Sequence, residues 1–179
     1  MISLETERLR LRMWREETDF DPYARVCADA EVMRFLSPQG KPLTRPEAWR
    51  QLAFLIGHWQ LRGYGHWAVE EKASGRFVGR IGFLNPEGWP GFEIGWTLAR
   101  EFWGKGYATE GARRALRYAF TEMGKEHVIS LIHPENRNSI RVAERLGETL
   151  EGETEVVGIK VLIYGISRDK WLKKVQSDE

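Results

Sequence analysis

The sequence is short of cysteine, of net charge and of long apolar runs. Its single cysteine, Cys27, excludes a disulfide within the chain and is expected in a helix core. A formal net charge of +1 gives no support for a general nucleic-acid binder, because such proteins carry a clear basic excess. No run approaches the roughly 20 apolar residues of a membrane-spanning helix, and the first residues, MISLETERLRLR, lack the apolar segment of a signal peptide. We therefore expect a reduced, cytoplasmic protein with neither nucleic acid nor membrane as partner.

What the sequence does contain is typical of one globular domain over residues 1–179. Hydrophobic residues make up 42% and charged residues 30%, which is enough apolar material for a core. Eight tryptophans are many for this length, and composition alone favours core positions for them.

Hydrophobic periodicity predicts strands and helices in the order β-α-α-β-β-β-α-β-α-β-β. The strands are expected at 8–14, 66–72, 77–85, 91–99, 127–134, 149–157 and 160–168, before a polar tail. The helices are expected at 21–36 with Pro22 near its start, from a Thr44–Glu47 capping box to near Gly63, at 107–123, and at 139–146 between an Asn138 cap and Gly147. A strand, helix and strand in the middle predict a crossover and one parallel pair.

The segment EFWGKGYATEG (101–111) places three glycines just before a helix with a strong apolar stripe. It matches neither common phosphate loop: the dinucleotide fingerprint needs Gly or Ala where Thr109 stands, and a Walker loop needs Lys and then Ser or Thr after its last glycine. The free N–H groups and positive dipole end of the helix nevertheless suit an anion, and Lys105, Arg113 and Arg114 add positive charge. A tight strand-to-helix turn that binds nothing is the alternative.

Several segments together resemble the GCN5-related N-acetyltransferases, the GNAT family. WGKGYA (103–108) is similar to the acyl-CoA pyrophosphate loop Q/R-x-x-G-x-G/A, although Trp103 stands where Gln or Arg is usual. That departure is common in the subgroup that resembles the ribosomal-protein N-terminal acetyltransferases (RimJ/RimL-like). The other similar segments are TERLRLR (6–12), GFEIGWTL (91–98) and PENRNSIRVAERLG (134–147), so that the resemblance covers residues 3–173.

The resemblance implies an α/β (α+β) fold with a mixed, mostly antiparallel sheet of six to seven strands, splayed at its centre and flanked by about four helices. It implies acetyl-CoA as co-substrate and no metal. The pantetheine arm would pair with the backbone of Trp96, Thr97 and Leu98 where the two central strands separate. The pyrophosphate would lie against Trp103, Gly104, Lys105, Gly106, Tyr107, Ala108 and Thr109. Asn136 would bond the pantetheine or fix the turn.

The implied chemistry is acyl transfer from a thioester to a neutral amine, which needs a base and a proton donor for the leaving thiolate. Glu93 and His133, on the two separated strands, are the candidate bases, and each also suits an ordinary strand position. Ser139 matches the position at which RimJ/RimL-like members place a thiol-protonating serine, or it bonds the helix backbone. Tyr164 is an alternative donor that also suits the core. Glu148 stands where the family often has an aromatic residue.

The acceptor pocket is expected between the two early helices and the late strand pair, with Trp14, Phe35, Trp67 and Trp89 as candidate lining residues. The sequence does not identify the amine, which is either a small molecule or a protein N-terminus. An exposed late strand would also allow a homodimer. Two other functions stay open: a catalytically silent acyl-CoA-binding or scaffold domain, and a generic nucleotide binder that uses the same anion site.

Overall fold

Eight strands and six helices follow one another along residues 2–177, the part of the chain that the computed structural model describes. In chain order they are β1 (Leu4–Glu5), β2 (Leu9–Arg12), α1 (Glu16–Ala28), α2 (Ala30–Met33), α3 (Arg45–Arg62), β3 (His66–Glu71), β4 (Phe77–Leu84), β5 (Glu93–Leu98), α4 (Tyr107–Thr121), β6 (His127–Ile132), α5 (Arg137–Leu146), β7 (Thr149–Val156), β8 (Ile159–Ser167) and α6 (Arg168–Ser177). A short 3₁₀ turn, Arg100–Phe102, separates β5 from α4.

The strands form one sheet in the order β1-β2-β3-β4-β5-β6-β8-β7. Neighbouring strands are antiparallel except β5 and β6, which α4 connects as a parallel pair. Along residues 2–177, β5 and β6 share a single register pair, Glu93 with Ile129, whereas β4 and β5 share six. The expected fold class, a mixed and mostly antiparallel sheet that is splayed at its centre, is confirmed. The sheet is one strand larger than expected, because the two-residue β1 is too short to show a periodicity.

The helical boundaries differ from the expectation at both ends of the chain. The helix expected at 21–36 is two helices, because the backbone of Asp29 is extended and its side chain caps α2 by accepting from the Glu31 N–H. Pro22 lies inside α1 and not near its start. The expected polar tail contains α6, whose Trp171 is buried against the Phe120 ring of α4 at 5.3 Å between centroids.

The helix caps follow the sequence at three of four expected places. Thr44 and Glu47 form the expected capping box of α3, and Gly63 ends that helix in a left-handed conformation with φ +74°. Gly147 ends α5 in the same way, with φ +93°. The cap expected at Asn138 is wrong: Asn136 caps α5, because its Oδ1 accepts from the Ser139 N–H at 3.2 Å.

The sheet is covered on both faces. On one face α4 packs through its buried alanines and Leu116, and the fully buried Trp67 lies in this layer. On the other face α1 and α3 enclose a second cluster, in which Tyr23 contacts Phe77 and Cys27 is buried as expected. The second face, near the end of β5, is where a groove can form between helices and sheet. Within residues 2–177 we find no helix with both the length and the apolar character that crossing a membrane requires.

Candidate active site

The two central strands separate immediately after their one shared register pair. The backbone N–H of Ile129 donates to the Phe92 carbonyl at 3.0 Å, and beyond that point a side chain bridges the strands: Ser130 Oγ donates to the Ile94 carbonyl at 3.1 Å. The last residues of β5, Trp96–Leu98, pair with β4 on one side and with no strand on the other among the described residues. The opening therefore presents one edge of β5 to whatever occupies it.

A groove of about 520 Å³ runs from this opening to the start of α4. Ten of the eleven residues expected to contact the cofactor line it: Trp96, Thr97, Leu98, Trp103, Gly104, Gly106, Tyr107, Ala108, Thr109 and Asn136. Lys105 is the exception, since its ammonium group lies over the Phe102 ring, 4.9 Å from the centroid.

The loop before α4 has the geometry of an anion site. Gly104 and Gly106 have φ of +74° and +80°. Residues other than glycine adopt this left-handed backbone conformation only at a cost in free energy. Within residues 2–177, the backbone N–H groups of 104–109 make no hydrogen bond. Six unpaired donors at the positive end of a 15-residue helix can together bind a diphosphate.

Arg8, in the N-terminal TERLRLR segment, holds this loop through hydrogen bonds. Its guanidinium donates to Glu110 Oε2 at 2.7 Å through Nε and to the Lys105 carbonyl at 3.0 Å. It also lies over the Tyr107 ring, 4.6 Å from the centroid. Thr6 Oγ1 donates to the other Glu110 oxygen at 2.6 Å, so two residues of the β1–β2 connection hold one carboxylate in the first turn of α4.

The arginines that line the groove do not belong to the helix in which they were expected. Arg141 and Arg145, one turn apart on α5, line the groove, whereas Arg113 and Arg114 of α4 do not. Arg114 instead lies 4.0 Å from Glu122 on its own helix. Sequence reasoning missed the two α5 arginines, although their spacing of four residues placed them on one face of the predicted helix.

A second cavity, of about 360 Å³, lies on the other side of the opening. Glu93, His133 and Ser139 all line it, with Phe35 and Trp89 among the expected wall residues. It shares with the groove the residues at the opening, namely Trp96, Thr97, Asn136 and Ser139. The two cavities thus meet where β5 and β6 separate.

Two tryptophans expected in this wall lie elsewhere. Trp67 is fully buried on the opposite face of the sheet. Trp14 packs against Tyr23 and Phe77 and donates from Nε1 to the His66 carbonyl at 2.8 Å. Trp67 lies in β3, where the strand's alternation decides its face, and Trp14 lies in the connection between β2 and α1, outside the strand expected at 8–14.

Glu93 is half-buried at the floor of the second cavity. Burial raises its pKa to about 7, although a hydrogen bond from the Trp89 indole, the charge of Arg80 and the Leu131 backbone N–H favour the ionised form. The Trp89 Nε1–H donates to Glu93 Oε2 at 2.6 Å and fixes that oxygen. A carboxyl with this pKa accepts a proton near neutral pH and can release it again.

His133 and Ser139 also line the second cavity. The His133 ring packs against Phe35 at 5.0 Å, and its Nδ1 accepts from the Glu135 N–H at 3.2 Å, so that a neutral ring carries its proton on Nε2. Ser139 Oγ accepts from the Trp96 indole N–H at 3.3 Å. The alternative donor Tyr164 is buried against Ile132 in the core and lines neither cavity.

Glu148 does not pack as an aromatic residue would, and it is a buried polar group instead. It is 2% exposed, lies 3.1 Å from Ser130 Oγ through Oε1, and burial raises its pKa to about 8. Its Oε2 has no hydrogen-bond partner within residues 2–177. No group of three or more His, Cys, Asp or Glu suited to a metal occurs in that part of the chain either, and the absence of a metal stays a prediction.

Comparison with known proteins agrees with this geometry. The family model described as an acetyltransferase (GNAT) domain matches residues 8–149. FsC-acetyl coenzyme A-N(2)-transacetylase of Aspergillus fumigatus is 32% identical over 189 residues, which cover 96% of this chain and 78% of that protein. The crystal structure of an acetyltransferase from Agrobacterium tumefaciens is 30% identical, with a TM-score of 0.83 over 93% of this chain and 94% of the other.

The fold is also that of RimL, the ribosomal L7/L12 alpha-N-protein acetyltransferase, whose structure in complex with coenzyme A gives a TM-score of 0.76. That match is 18% identical and covers 94% of this chain and 99% of the other. The family model spans most of the chain, and it includes the two strands between which the sheet opens, the glycine loop and Arg8, which holds the loop. This chain belongs to the GNAT family of acetyltransferases.

Proposed function

We propose that the protein is an acetyl-CoA-dependent N-acetyltransferase that acetylates a primary amine by direct attack in a ternary complex. The observation that carries the proposal is the meeting of two cavities at Trp96 and Ser139, one leading to a row of unpaired amides and the other to a carboxyl with a pKa of about 7. A donor and an acceptor can therefore be bound at the same time, with their reactive ends in one place. The coenzyme A complex of RimL, which has the same fold, supports the choice of co-substrate.

The groove suits the three parts of acetyl-CoA. The pantetheine arm is peptide-like and would pair with the free edge of β5 at Trp96–Leu98. The pyrophosphate would receive hydrogen bonds from the amides of 104–109, and Arg141 and Arg145 would face its negative charge. The thioester would then lie at the opening, where both cavities meet.

The chemistry begins with loss of a proton, because an alkyl amine has a pKa of about 10 and is mostly ammonium at neutral pH. Glu93 accepts that proton, directly or through water, and the amine nitrogen attacks the thioester carbon. A backbone N–H of β5 near Trp96 stabilises the tetrahedral oxyanion. The carbon–sulfur bond then breaks and Ser139 gives its proton to the thiolate. Ser139 regains a proton, directly or through water, when the nitrogen loses its second proton as the amide forms.

The acceptor is a small-molecule amine or a protein N-terminus, and the subgroup is RimJ/RimL-like. Two relatives in fold or sequence are named for amine acetylation, one as an N(2)-transacetylase and one as an alpha-N-protein acetyltransferase. Aromatic side chains, Phe35 and Trp89, wall the second cavity, so we expect an acceptor with an apolar part next to its amine. The cytoplasmic location, the possible homodimer and the absence of a nucleic-acid partner stay predictions.

Release of free thiol from acetyl-CoA over panels of small amines and peptides tests the proposal, together with the shift in Tm that coenzyme A causes. We expect stabilisation by coenzyme A and turnover with at least one amine. Stabilisation without turnover across both panels would identify a catalytically silent acyl-CoA-binding domain instead. If neither stabilisation nor turnover occurs, the proposed function is wrong.

The base is tested by Glu93→Gln beside His133→Ala. We expect kcat/KM of the wild type to rise with pH up to about 7 and then to level, because the carboxylate is the active form. Glu93→Gln should lower kcat by about 100-fold and abolish that rise, while His133→Ala keeps it. The reverse pattern would make His133 the base.

A further inference from the structure

Two glycines face each other in the middle of the sheet and make room for a histidine. His66 of β3 pairs with Gly82 of β4, which in turn pairs with Gly95 of β5. A Cβ added at Gly95 would lie 3.2 Å from His66 Cε1 and 3.4 Å from Nε2. The imidazole therefore extends across the middle strand and lies over Gly95, whereas at Gly82 a Cβ would meet the His66 backbone, 2.5 Å from Cα.

The position and the tautomer of this ring are fixed. Two indole N–H groups, from Trp14 and Trp59, donate to the His66 carbonyl at 2.8 Å each. Arg80 Nη1 lies 3.0 Å from His66 Nδ1, and because a guanidinium can only donate, Nδ1 is the acceptor and the ring proton is on Nε2. Burial, with the charge of Arg80, holds the pKa of His66 well below its ordinary value, so that the ring is neutral.

The Nε2–H group of His66 is buried and has no hydrogen-bond partner within residues 2–177. Glu93 Oε1 lies 3.7 Å from the same point over Gly95 that is 3.4 Å from Nε2. The other Glu93 oxygen already accepts from Trp89. A donor and an acceptor that face one small space, too far apart for a direct bond, are the arrangement that a single water bridges.

We propose that His66 is a positioning residue for Glu93: its Nε2–H, oriented by Arg80, donates through one ordered water to Glu93 Oε1. The proposal rests on the proposed function only in taking Glu93 as the base. The bridge favours the carboxylate over the neutral acid and turns it within the cavity. With Oε2 held by Trp89 and Oε1 by His66, the carboxylate presents one orientation to the incoming amine.

Other charged groups also face this pair. Arg80 on β4 faces both His66 and Glu93, and His58 on α3 acts on His66. Glu148, which contacts Ser130 of β6, interacts with Glu93, and His133 lines the same cavity as Glu93. None of these residues is replaced in the variants below, although His66→Leu also removes the acceptor of Arg80.

The test is a carbon-13 NMR titration of the Glu93 carboxyl in the free protein, with Glu93→Gln to assign the signal. His66→Leu removes the donor and should raise the Glu93 pKa by roughly one unit, and His66→Gln, which keeps an N–H donor, should restore much of the difference. The exposed His127→Leu is the control and should leave the titration unchanged. Should His66→Leu fail to fold, Gly95→Ala pushes a methyl group against the ring and should raise the pKa in the same direction.

A Glu93 titration that is the same in His66→Leu, His66→Gln and wild type would overturn the proposal, as would a decrease in the pKa of His66→Leu. The titration needs no substrate, so its outcome is separate from that of the proposed function. With a working acceptor, the pH at which kcat/KM levels should move up by the same amount in His66→Leu and return in His66→Gln, which a purely structural loss would not produce.

Discussion

The indole N–H of Trp96 donates to the Ser139 hydroxyl at 3.3 Å and so joins the free edge of β5 to the first turn of α5. The backbone N–H of Ser139 is held in turn by Asn136 Oδ1 at 3.2 Å. Because Ser139 Oγ accepts from Trp96, its own hydrogen is left to point toward the junction of the two cavities, which the side chain lines on both sides. This geometry suits a donor to a thiolate that leaves at the opening.

Replacing Ser139 by alanine tests that role. We expect kcat to fall by about 100-fold while the KM for acetyl-CoA changes little, because the proton is needed only as the carbon–sulfur bond breaks. Steady-state thiol release measures both constants. Thr121→Ala, which removes an exposed hydroxyl that bonds only its own helix, is the control and should be unchanged. A Ser139→Ala variant with full kcat would rule out the serine as proton donor.

Gly106→Asp should abolish binding of acetyl-CoA. The residue caps α4 with φ +80° and lines the groove, so the change places a negative charge among amides that would receive the pyrophosphate. The readout is the Tm shift caused by coenzyme A, which we expect to disappear. Gly124→Asp is the matched control, because Gly124 has φ +65° and open space around it but does not line the groove. Backbone strain of about 1–2 kcal/mol is common to both variants, so retained binding in Gly106→Asp would refute the loop assignment.

Arg8→Ala should weaken acetyl-CoA binding, although Arg8 does not line the groove. Arg8 holds the Lys105 carbonyl and the Glu110 carboxylate, and without it the loop must be ordered at the expense of binding energy. We expect the Kd for acetyl-CoA, measured by calorimetry, to rise about 10-fold. Arg10→Ala, two residues further along in β2 and paired with Glu5 and Glu70, should leave the Kd within about two-fold. Equal effects of the two changes would show that the clamp is not specific to the loop.

The parts of the site that the sequence predicted are those that local chemistry determines. The glycine loop, the helix after it and the capping box each depend on residues within a few positions of one another. The resemblance then indicated which strand ends face the loop. What the sequence could not show depends on strand register. His66 and Glu93 face one another only because two glycines pair in neighbouring strands. Trp67 points into the core because of its register in β3.

The surroundings of Glu148 likewise could not be predicted from the sequence. Ser130 Oγ lies 3.1 Å from both the Ile94 carbonyl and Glu148 Oε1, but a hydroxyl has one hydrogen to donate. When that hydrogen goes to Ile94, Glu148 must itself be protonated and donate to Ser130. The pKa of about 8, raised by burial, agrees with a neutral carboxyl at this position. The chain from Glu148 through Ser130 to Ile94 therefore crosses the central opening in neutral form.

This arrangement predicts how stability depends on pH. Between the ordinary Glu value of 4.5 and about 8, folded Glu148 keeps a proton that the unfolded chain has lost, so the free energy of unfolding falls as the pH rises through that window. Glu93 acts in the same direction up to about 7. Glu148→Gln removes the larger part of this pH dependence, because an amide cannot ionise. The amide can still donate to Ser130. We expect its Tm to exceed that of the wild type by about 5 °C or more at pH 9 and to differ little at pH 5, in thermal unfolding followed by circular dichroism.

The exposed Glu144→Gln on α5 should follow the wild type at both pH values. A Glu148→Gln variant whose Tm falls between pH 5 and pH 9 by as much as that of the wild type would show that folded Glu148 does not keep its proton in that window.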